Sequence, residues 1–470
     1  MSAEQTSLTP GAELICTVES LAAGGEAVAK PGGRVVFIDH GLPGEELRVR
    51  ITQAKKNLFR AELIERLSDG PDRIAPPCPH AGRCGGCQWQ HLSYPGQLTW
   101  KRRLVVDTLS RLGGLGKEAE RLVEEAIPSP SSLHYRNKME FHFRNVPEGR
   151  VLLGLMERQS HRVLEPTSCL LMDDPQPGMA MQVLGSVRNL VGKGGLPAWN
   201  PRQGKGFWRF LVLRFFHEPG NCAAHFITAP HAKGKRVLGA VARELLGQYP
   251  GLDKVAHSIR SHPAQVAYGH GRVRCWDREG ECEPVQHESL LGLTVGVPMN
   301  GFMQVNTAAA ELLFTTGLDW VREGEASLVQ DLYCGCGALT MALGKAFPNA
   351  EVQGYELSRE AVDAARANAR ANGVGNVSFR TGDVLASLPR ESRNPDLVVV
   401  DPPRRGMEPE LVELLLKQQP AHILAISCDP ATLARDVKRL SAGYTLAKAR
   451  PVDLFPQTSH VETISLLERR

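Results

Sequence analysis

The chain reads as an α/β protein. Its C-terminal third is a largely parallel sheet with helices on both faces, preceded by a small all-β barrel and a central mixed α+β region. Three observations predict this. From about residue 300 onward, strand-like and helix-like segments alternate, the pattern of a parallel sheet covered on both sides. Residues 11–67 instead alternate apolar and polar side chains between Gly- and Pro-bearing turns, which reads as short strands. The length of 470 residues exceeds one ordinary domain and suggests two to four.

In the first segment ELICTVESL, EAVAK, GRVVFIDH and EELRVRITQ are strands, with turns at Gly24-Gly25, Pro31-Gly32-Gly33 and Leu42-Pro43-Gly44. Closed on itself, this set makes a barrel over residues 5–68. Its rim carries Lys55, Lys56 and Arg60, which favours RNA contact over a spacer role. Residues 70–95, rich in Pro, Gly, Cys and His, read as an irregular loop, and the helix KRRLVVDTLSRL follows with a basic start. Lys101, Arg102 and Arg103 are candidate phosphate contacts there, set against the plainer reading of a solvated helix face. RNKMEFHFR, WRFLVLRFFH and NCAAHFITA are further strands, and AKGKRVLGAVARELLG is a helix. Together these make a central region, 69–298.

The alternating region, 299–470, opens with the helix AAAELLFTTGLDWV and the strand SLVQDLYC. ALTMALGKAF, REAVDAARANARANG, ELVELLLKQ and TLARDVKRL then read as helices. EVQGYE, NVSFRTGD, DLVVVDPP, HILAISCD, YTLAKARPVD and ETISLLER read as strands. Ligands of such a sheet bind outside the carboxyl ends of the strands.

Composition narrows the class. Hydrophobic residues at 42% and charged residues at 23% are values of a soluble globular protein. No run of about 18 apolar residues suggests a membrane span, and the polar start MSAEQTSLTP does not resemble a secretory signal. Eleven unevenly spread cysteines argue for a reducing, cytoplasmic setting rather than a disulfide framework. A net charge of +4 permits a nucleic-acid partner only through local patches. A monomer is expected.

The chemistry concentrates at strand ends. The first strand of the alternating region ends in Asp331-Leu-Tyr-Cys-Gly-Cys-Gly-Ala338. Its glycines allow a sharp turn and close approach of a ligand. Glu356 ends the next strand, where a carboxylate can accept hydrogen bonds from ribose hydroxyls. Thr340 stands where a dinucleotide fingerprint needs its third glycine, so the loop favours another nucleoside cofactor over a dinucleotide. Asp383 is a candidate partner for an adenine amino group. Asp401, in Asp401-Pro-Pro-Arg-Arg-Gly406, and Cys428, in Ser427-Cys428-Asp429-Pro430, end later strands and should face the same cleft. A thiol opening a helix has its pKa lowered by the helix dipole. A buried structural cysteine is the plainer alternative.

A thiolate there suits carbon 5 of uracil. Addition to carbon 6 makes carbon 5 nucleophilic toward a sulfonium methyl, and a carboxylate must then remove the carbon 5 proton. Glu462, in HVETISLL, is the first choice of base and Asp401 the second, although local sequence alone favours an exposed strand residue at Glu462. Cys78-x5-Cys84-x2-Cys87, with the remote Cys169, forms a four-thiol constellation. By ligand type it suits zinc or an iron–sulfur cluster equally.

At these residues the chain resembles the RNA 5-methyluridine methyltransferase family. SCDPATLARD resembles the family's nucleophile motif, DLFPQTSHVET its terminal motif and DPPRRG its motif IV. The resemblance implies Cys428 as nucleophile, Glu462 as base and Asp401 as an active-site ligand. GFMQVN resembles the family's Phe-x-Gln-x-Asn signature, which puts Gln304 at the cofactor, with Phe302 and Asn306 near the base to bind substrate. Tyr333 and Glu356 match cofactor positions, whereas Ala338 departs from members with Asn there. The family further implies a Rossmann-like domain binding S-adenosylmethionine, an N-terminal TRAM barrel and a [4Fe-4S] cluster on Cys78, Cys84, Cys87 and Cys169, with zinc as the alternative. The expected activity is methylation of a flipped-out uridine in RNA, 23S ribosomal RNA first and transfer RNA second. The rivals are an RNA cytosine carbon 5 methyltransferase and a decayed, nonenzymatic RNA-binding protein.

Overall fold

The computed structural model describes residues 8–56, 58–216, 221–322, 324–388 and 393–470. Residues 5–7 of the expected barrel and His217 of an expected strand lie outside these. The barrel closes from β1 (Glu13–Leu21), β2 (Ala27–Ala29), β3 (Val36–Ile38), β4 (Glu46–Lys55) and β5 (Leu58–Ser68), in the order β1-β2-β3-β5-β4. Alternation does the sorting: Leu14, Cys16 and Val18 point inward from β1, and Leu47, Val49 and Ile51 from β4. Sequence reading missed β5, whose AELIERL run is made of good helix formers. Pairing to both β3 and β4 overrides that preference.

After the irregular cysteine loop comes α1 (Tyr94–Arg111), started by Ser93, whose hydroxyl accepts from the Gly96 amide. The basic triplet is therefore in mid-helix rather than at its start. Lys101 is fully buried and ion-paired to the equally buried Asp453, so it is neither a phosphate contact nor solvated. Arg102 is taken up by Glu120 and the Val123 carbonyl, and Arg103 lies over the Trp100 ring. A short helix, α2 (Glu118–Leu122), follows.

The central sheet has seven strands in the order β12-β11-β10-β9-β6-β7-β8. They are β6 (Lys138–Asn145), β7 (Val151–Met156), β8 (Val163–Leu164), β9 (Trp208–Phe216), β10 (Asn221–Thr228), β11 (Leu252–Ile259) and β12 (His270–Trp276). Helices α3 (Met179–Gly194) and α4 (Gly234–Gln248) pack on one face through Val183, Leu184, Leu238 and Leu245. A hairpin, β13 (Val285–Leu290) with β14 (Leu293–Pro298), leads out.

The C-terminal sheet runs β17-β16-β15-β18-β19-β21-β20. It comprises β15 (Leu328–Leu332), β16 (Glu351–Glu356), β17 (Val377–Thr381), β18 (Leu397–Val400), β19 (His422–Ser427), β20 (Tyr444–Val452) and β21 (Glu462–Arg469). The first five are parallel, and β21 inserts antiparallel between β19 and β20. One face is covered by the hairpin with α5 (Thr307–Val321), α6 (Ala338–Ala346) and α7 (Arg359–Ala371). The other is covered by α8 (Val384–Ser387), α9 (Pro409–Gln418), α10 (Pro430–Leu440) and, from the central region, α1 and α2. The sheet is thus buried on both sides, as its continuous apolar strands require, and its carboxyl-end loops converge.

Candidate active site

The cleft is built at the end of β15. Tyr333 (φ 69°), Gly335 (φ 55°) and Gly337 (φ 81°) all take left-handed backbone conformations, which bend the chain sharply into α6. A Cβ at Gly337 would stand 2.8 Å from the Phe379 ring and 2.9 Å from the Ala365 Cβ, whereas one at Gly335 would meet nothing within 4 Å. Glycine at 337 is a packing need, and the loop at 335 is open to a ligand. Glu356 is held by backbone donors: the Gly335 amide at 3.3 Å and the Ser358 amide at 2.7 Å. Asp383 accepts from the Leu385 amide at 2.8 Å and caps α8.

A cavity of about 80 Å³ lies against this loop, lined by Phe302, Gln304, Asp331, Tyr333 and Asp401 among others. Glu356 and Asp383 do not line it; they end the neighbouring strands. Buried Asp331 accepts from the Thr340 hydroxyl at 2.6 Å. Burial, with Asp401 and Glu356 nearby, pushes its acid up to about 7. Burial also pushes Asp401 up to about 6. The cleft floor is therefore a set of carboxylates that resist ionising together.

Strand pairing brings the proposed nucleophile and base together. Ser427 on β19 pairs with Thr463 on antiparallel β21, so Cys428, one step beyond, faces Glu462, one step before. Glu462 is buried, and among the described residues its carboxyl has no hydrogen-bond partner. Burial first, then the charge of Asp401, raises its pKa well above the usual range, while Arg404 opposes. Cys428 does not show the lowered pKa expected of a thiol opening a helix. Burial, then Glu462, pushes it up to about 11, and Arg404 pulls back. The helix N-terminus itself is taken by Asp429, which accepts from the Thr432 amide. Arg404 was overlooked in the sequence, although it lies in the DPPRRG motif that supplied Asp401.

The segment before α5 supplies the remaining candidates. Phe302 is 68% exposed, free to meet an aromatic ring. Gln304 lines the cavity, and its carbonyl accepts from Asn137. Asn306 is buried and committed: it caps α5 through the Ala309 amide and donates to Ser129 and the Leu454 carbonyl. The expected substrate contact is not what its bonds serve; it positions the segment. Arg214, from β9, donates to the Gly301 carbonyl beside Phe302, a long-range tie without a local sequence signal.

Known proteins resemble this chain throughout. An RNA methyltransferase of Nitratidesulfovibrio vulgaris, itself uncharacterized, is 42% identical over 466 residues, 98% of this chain and 97% of the relative. Another from Gloeobacter violaceus is 35% identical over 476 residues, 99% and 98% of the two chains. The chain belongs to this RNA methyltransferase family. Its residues 380–470 match the tRNA (Uracil-5-)-methyltransferase family, 308–424 the methyltransferase small domain and 8–64 the TRAM domain. In solved structures it resembles the Pyrococcus abyssi tRNA (uracil-54, C5)-methyltransferase in complex with S-adenosyl-L-homocysteine. The TM-score is 0.73 at 24% identity, covering 97% of this chain and 100% of that one. The expected α/β methyltransferase fold with an N-terminal TRAM barrel is borne out.

The RNA methyltransferase also gathers its four cysteines. Cys78, Cys84, Cys87 and Cys169 line one cavity of about 590 Å³ between the cysteine loop and the β7 end. The Gly86 amide donates to Cys84 Sγ, and the Met172 amide donates to the Cys169 carbonyl. Burial pushes Cys87 up to about 12 and raises Cys84 and Cys169. Burial thus favours the neutral thiol at these three, and a bound metal's positive charge would favour the thiolates. Among the described residues no three His, Cys, Asp or Glu side chains group closely enough to hold a metal ion. Neither zinc nor a cluster is shown by this arrangement.

Proposed function

We propose that this RNA methyltransferase transfers a methyl group from S-adenosylmethionine to carbon 5 of a uridine through a covalent Cys428 adduct. One observation carries the reading: the β19–β21 register sets Cys428 against the buried Glu462 carboxyl, which has no hydrogen-bond partner among the described residues, with Asp401 alongside. Gln304, Tyr333, Glu356 and Asp383 would hold S-adenosylmethionine, which supplies an electrophilic methyl group when bound. The Cys428 thiolate adds to carbon 6 of the flipped uracil, and the electron pair moves onto the carbon 4 oxygen. Carbon 5 of that enolate would take the methyl as the sulfonium carbon–sulfur bond breaks, its electron pair passing to sulfur to leave S-adenosylhomocysteine. Glu462 then accepts the carbon 5 proton, the double bond re-forms and the thiolate leaves. Phe302, exposed at the mouth, stacks on the extruded base. Arg404 offsets the negative charge that Cys428 and Glu462 develop in turn.

RNA containing 5-fluorouridine tests the mechanism, because fluorine cannot leave as a proton. A covalent protein–RNA adduct is expected with the wild-type enzyme and not with Cys428→Ala. An adduct undiminished by that change, or 5-methylcytidine as the product in nucleoside mass spectrometry, rejects the assignment. We take 23S ribosomal RNA as the first substrate to assay and transfer RNA as the second. The Pyrococcus abyssi neighbour, a tRNA enzyme by its description, shares the fold over 97% of this chain, so the fold does not separate the two RNAs.

For the four-cysteine cavity we propose a [4Fe-4S] cluster, with zinc as the alternative. A single zinc ion draws four sulfurs into one tetrahedron, whereas a cluster spreads its thiolates around several irons. Four thiols around one cavity of about 590 Å³ leave room for the second. Absence of iron and sulfide in anaerobically purified protein would reject the cluster.

A further inference from the structure

Two arginines of the central region are buried where no described acid balances them. Arg209 on β9 and Arg260, just beyond β11, are 3% and 6% exposed. Arg209 donates to the carbonyls of Arg260, His262, Pro263 and Ala264, and its guanidinium lies 5.0 Å from the Trp199 ring centroid. Arg260 donates to the carbonyls of Ala264 and Tyr268 and contacts His270 Nε2. Among the described residues neither meets a carboxylate. Arg209 stays protonated at neutral pH even though burial and Arg260 pull it down to about 10. Two like charges kept in a low-dielectric interior cost several kcal/mol unless an anion answers them.

The loop they knit together is rigid from beneath and open above. Within residues 259–270, Arg260 and Gly269 are buried, while Ile259, Val266 and Tyr268 are 43%, 54% and 39% exposed. The Tyr268 ring meets His270 edge-on. The loop also borders the cleft. The Gly269 amide donates to Asn300 Oδ1, two residues before the exposed Phe302.

We propose that the 259–270 loop is a docking site for substrate RNA: a base flanking the target stacks on Tyr268, and the adjoining phosphate sits over the Arg209–Arg260 pair. Charge complementarity selects the occupant, since two arginines that meet no carboxylate among the described residues, beneath a loop with an exposed aromatic ring, suit a single-stranded polyanion with π-faces. The proposal rests on the chain acting on RNA, and it assigns a task to a region that the adduct chemistry does not use.

Fluorescence anisotropy with a short labelled oligouridylate tests it on the full-length enzyme, with S-adenosylmethionine binding measured by calorimetry in parallel. Tyr268→Ala is expected to weaken RNA binding roughly tenfold, the size of one lost base–aromatic stack, and to leave S-adenosylmethionine affinity unchanged. Tyr268→Phe is expected to restore RNA binding. Arg260→Gln is expected to flatten the salt dependence of RNA binding. Unchanged RNA affinity in Tyr268→Ala, equal loss of both ligands, or equal salt slopes in Arg260→Gln and wild type overturns the docking site. Wild-type protein that binds no RNA at all counts instead against the functional reading on which it rests.

Discussion

The backbone amide of Trp89 donates to the carbonyl of Gln457 at 2.9 Å, tying the cysteine loop to the segment that delivers Glu462. Trp89 is fully buried, and its indole N–H reaches the Gly25 carbonyl of the barrel. Gln97 of α1 completes the junction. Its amide donates to Gln457 Oε1, and its oxygen accepts from the Gln457 backbone N–H at 2.8 Å. Gln457 itself sits at φ 69°, a strained value for a residue with a side chain. Barrel, cysteine loop, α1 and the segment leading into β21 therefore meet at one point.

Gln97→Leu removes the reciprocal pair with little change of volume and leaves buried Gln457 groups unmatched, at about 1–3 kcal/mol. The expected result is a roughly tenfold slower turnover, with a denaturant-stable protein–RNA adduct accumulating on ordinary uridine RNA. A displaced Glu462 slows proton removal after the adduct has formed. Denaturing gels of single-turnover reactions read this directly. A slower enzyme with no adduct would mean that the junction serves folding alone.

Arg404→Gln tests the electrostatics at Cys428, the proposed nucleophile. Arg404 lowers the pKa of both Cys428, at about 11, and Glu462. Without it both rise further. Since each must be ionised to act, activity should climb with pH in the wild type, and the variant's profile should be displaced toward alkaline pH. A displacement of one unit corresponds to about 1.4 kcal/mol and a tenfold loss near neutrality. Initial rates from about pH 6 to 9 measure it; superimposable profiles would remove Arg404 from the mechanism.

The alternation of strand and helix after residue 300 made the C-terminal sheet legible, because each segment's period matched its burial. That Cys428, Asp401, Glu356 and Tyr333 stand at or just beyond strand ends was legible from the same alternation. What local sequence could not show was pairing across distance. β5 looked helical until β3 and β4 claimed it. Lys101 looked solvated until Asp453, 352 residues away, met it. Asn306 looked like a ligand contact, and its partners Ser129 and Leu454 lie 177 and 148 residues distant. The Cys428 thiol was expected to be acidic from the helix alone, yet burial and carboxylates from β18 and β21 outweigh the dipole.

Gly337→Ala probes the cofactor loop. The added methyl would lie 2.8 Å from Phe379 and 2.9 Å from Ala365, and φ 81° strains any L side chain. Overpacking and backbone strain together should destabilise the C-terminal region by about 2–4 kcal/mol. The expected readouts are a lowered unfolding temperature and weaker S-adenosylmethionine binding. Gly335→Ala meets no neighbouring atom, so its stability loss should be confined to the cost of the left-handed backbone, about 1 kcal/mol. Equal losses for the two variants would contradict the packing role assigned to Gly337.

Asp331 links stability to pH. Its folded acid is raised from 3.8 to about 7, so the native state keeps a proton over a range in which the unfolded chain has lost it. That contribution is fully present below about pH 4 and is lost as pH rises through about 7. A shift of this size corresponds to on the order of 4 kcal/mol. Asn carries no proton to lose, and its amide oxygen can still accept from the Thr340 hydroxyl. Asp331→Asn should therefore match the wild type near pH 4 and exceed it near pH 8, as read from urea midpoints. Asp401, at about 6, remains in the variant and keeps a smaller slope of the same sign. Identical pH dependence in the two proteins would mean that Asp331 is ionised in the fold, with its charge held by the Thr340 bond.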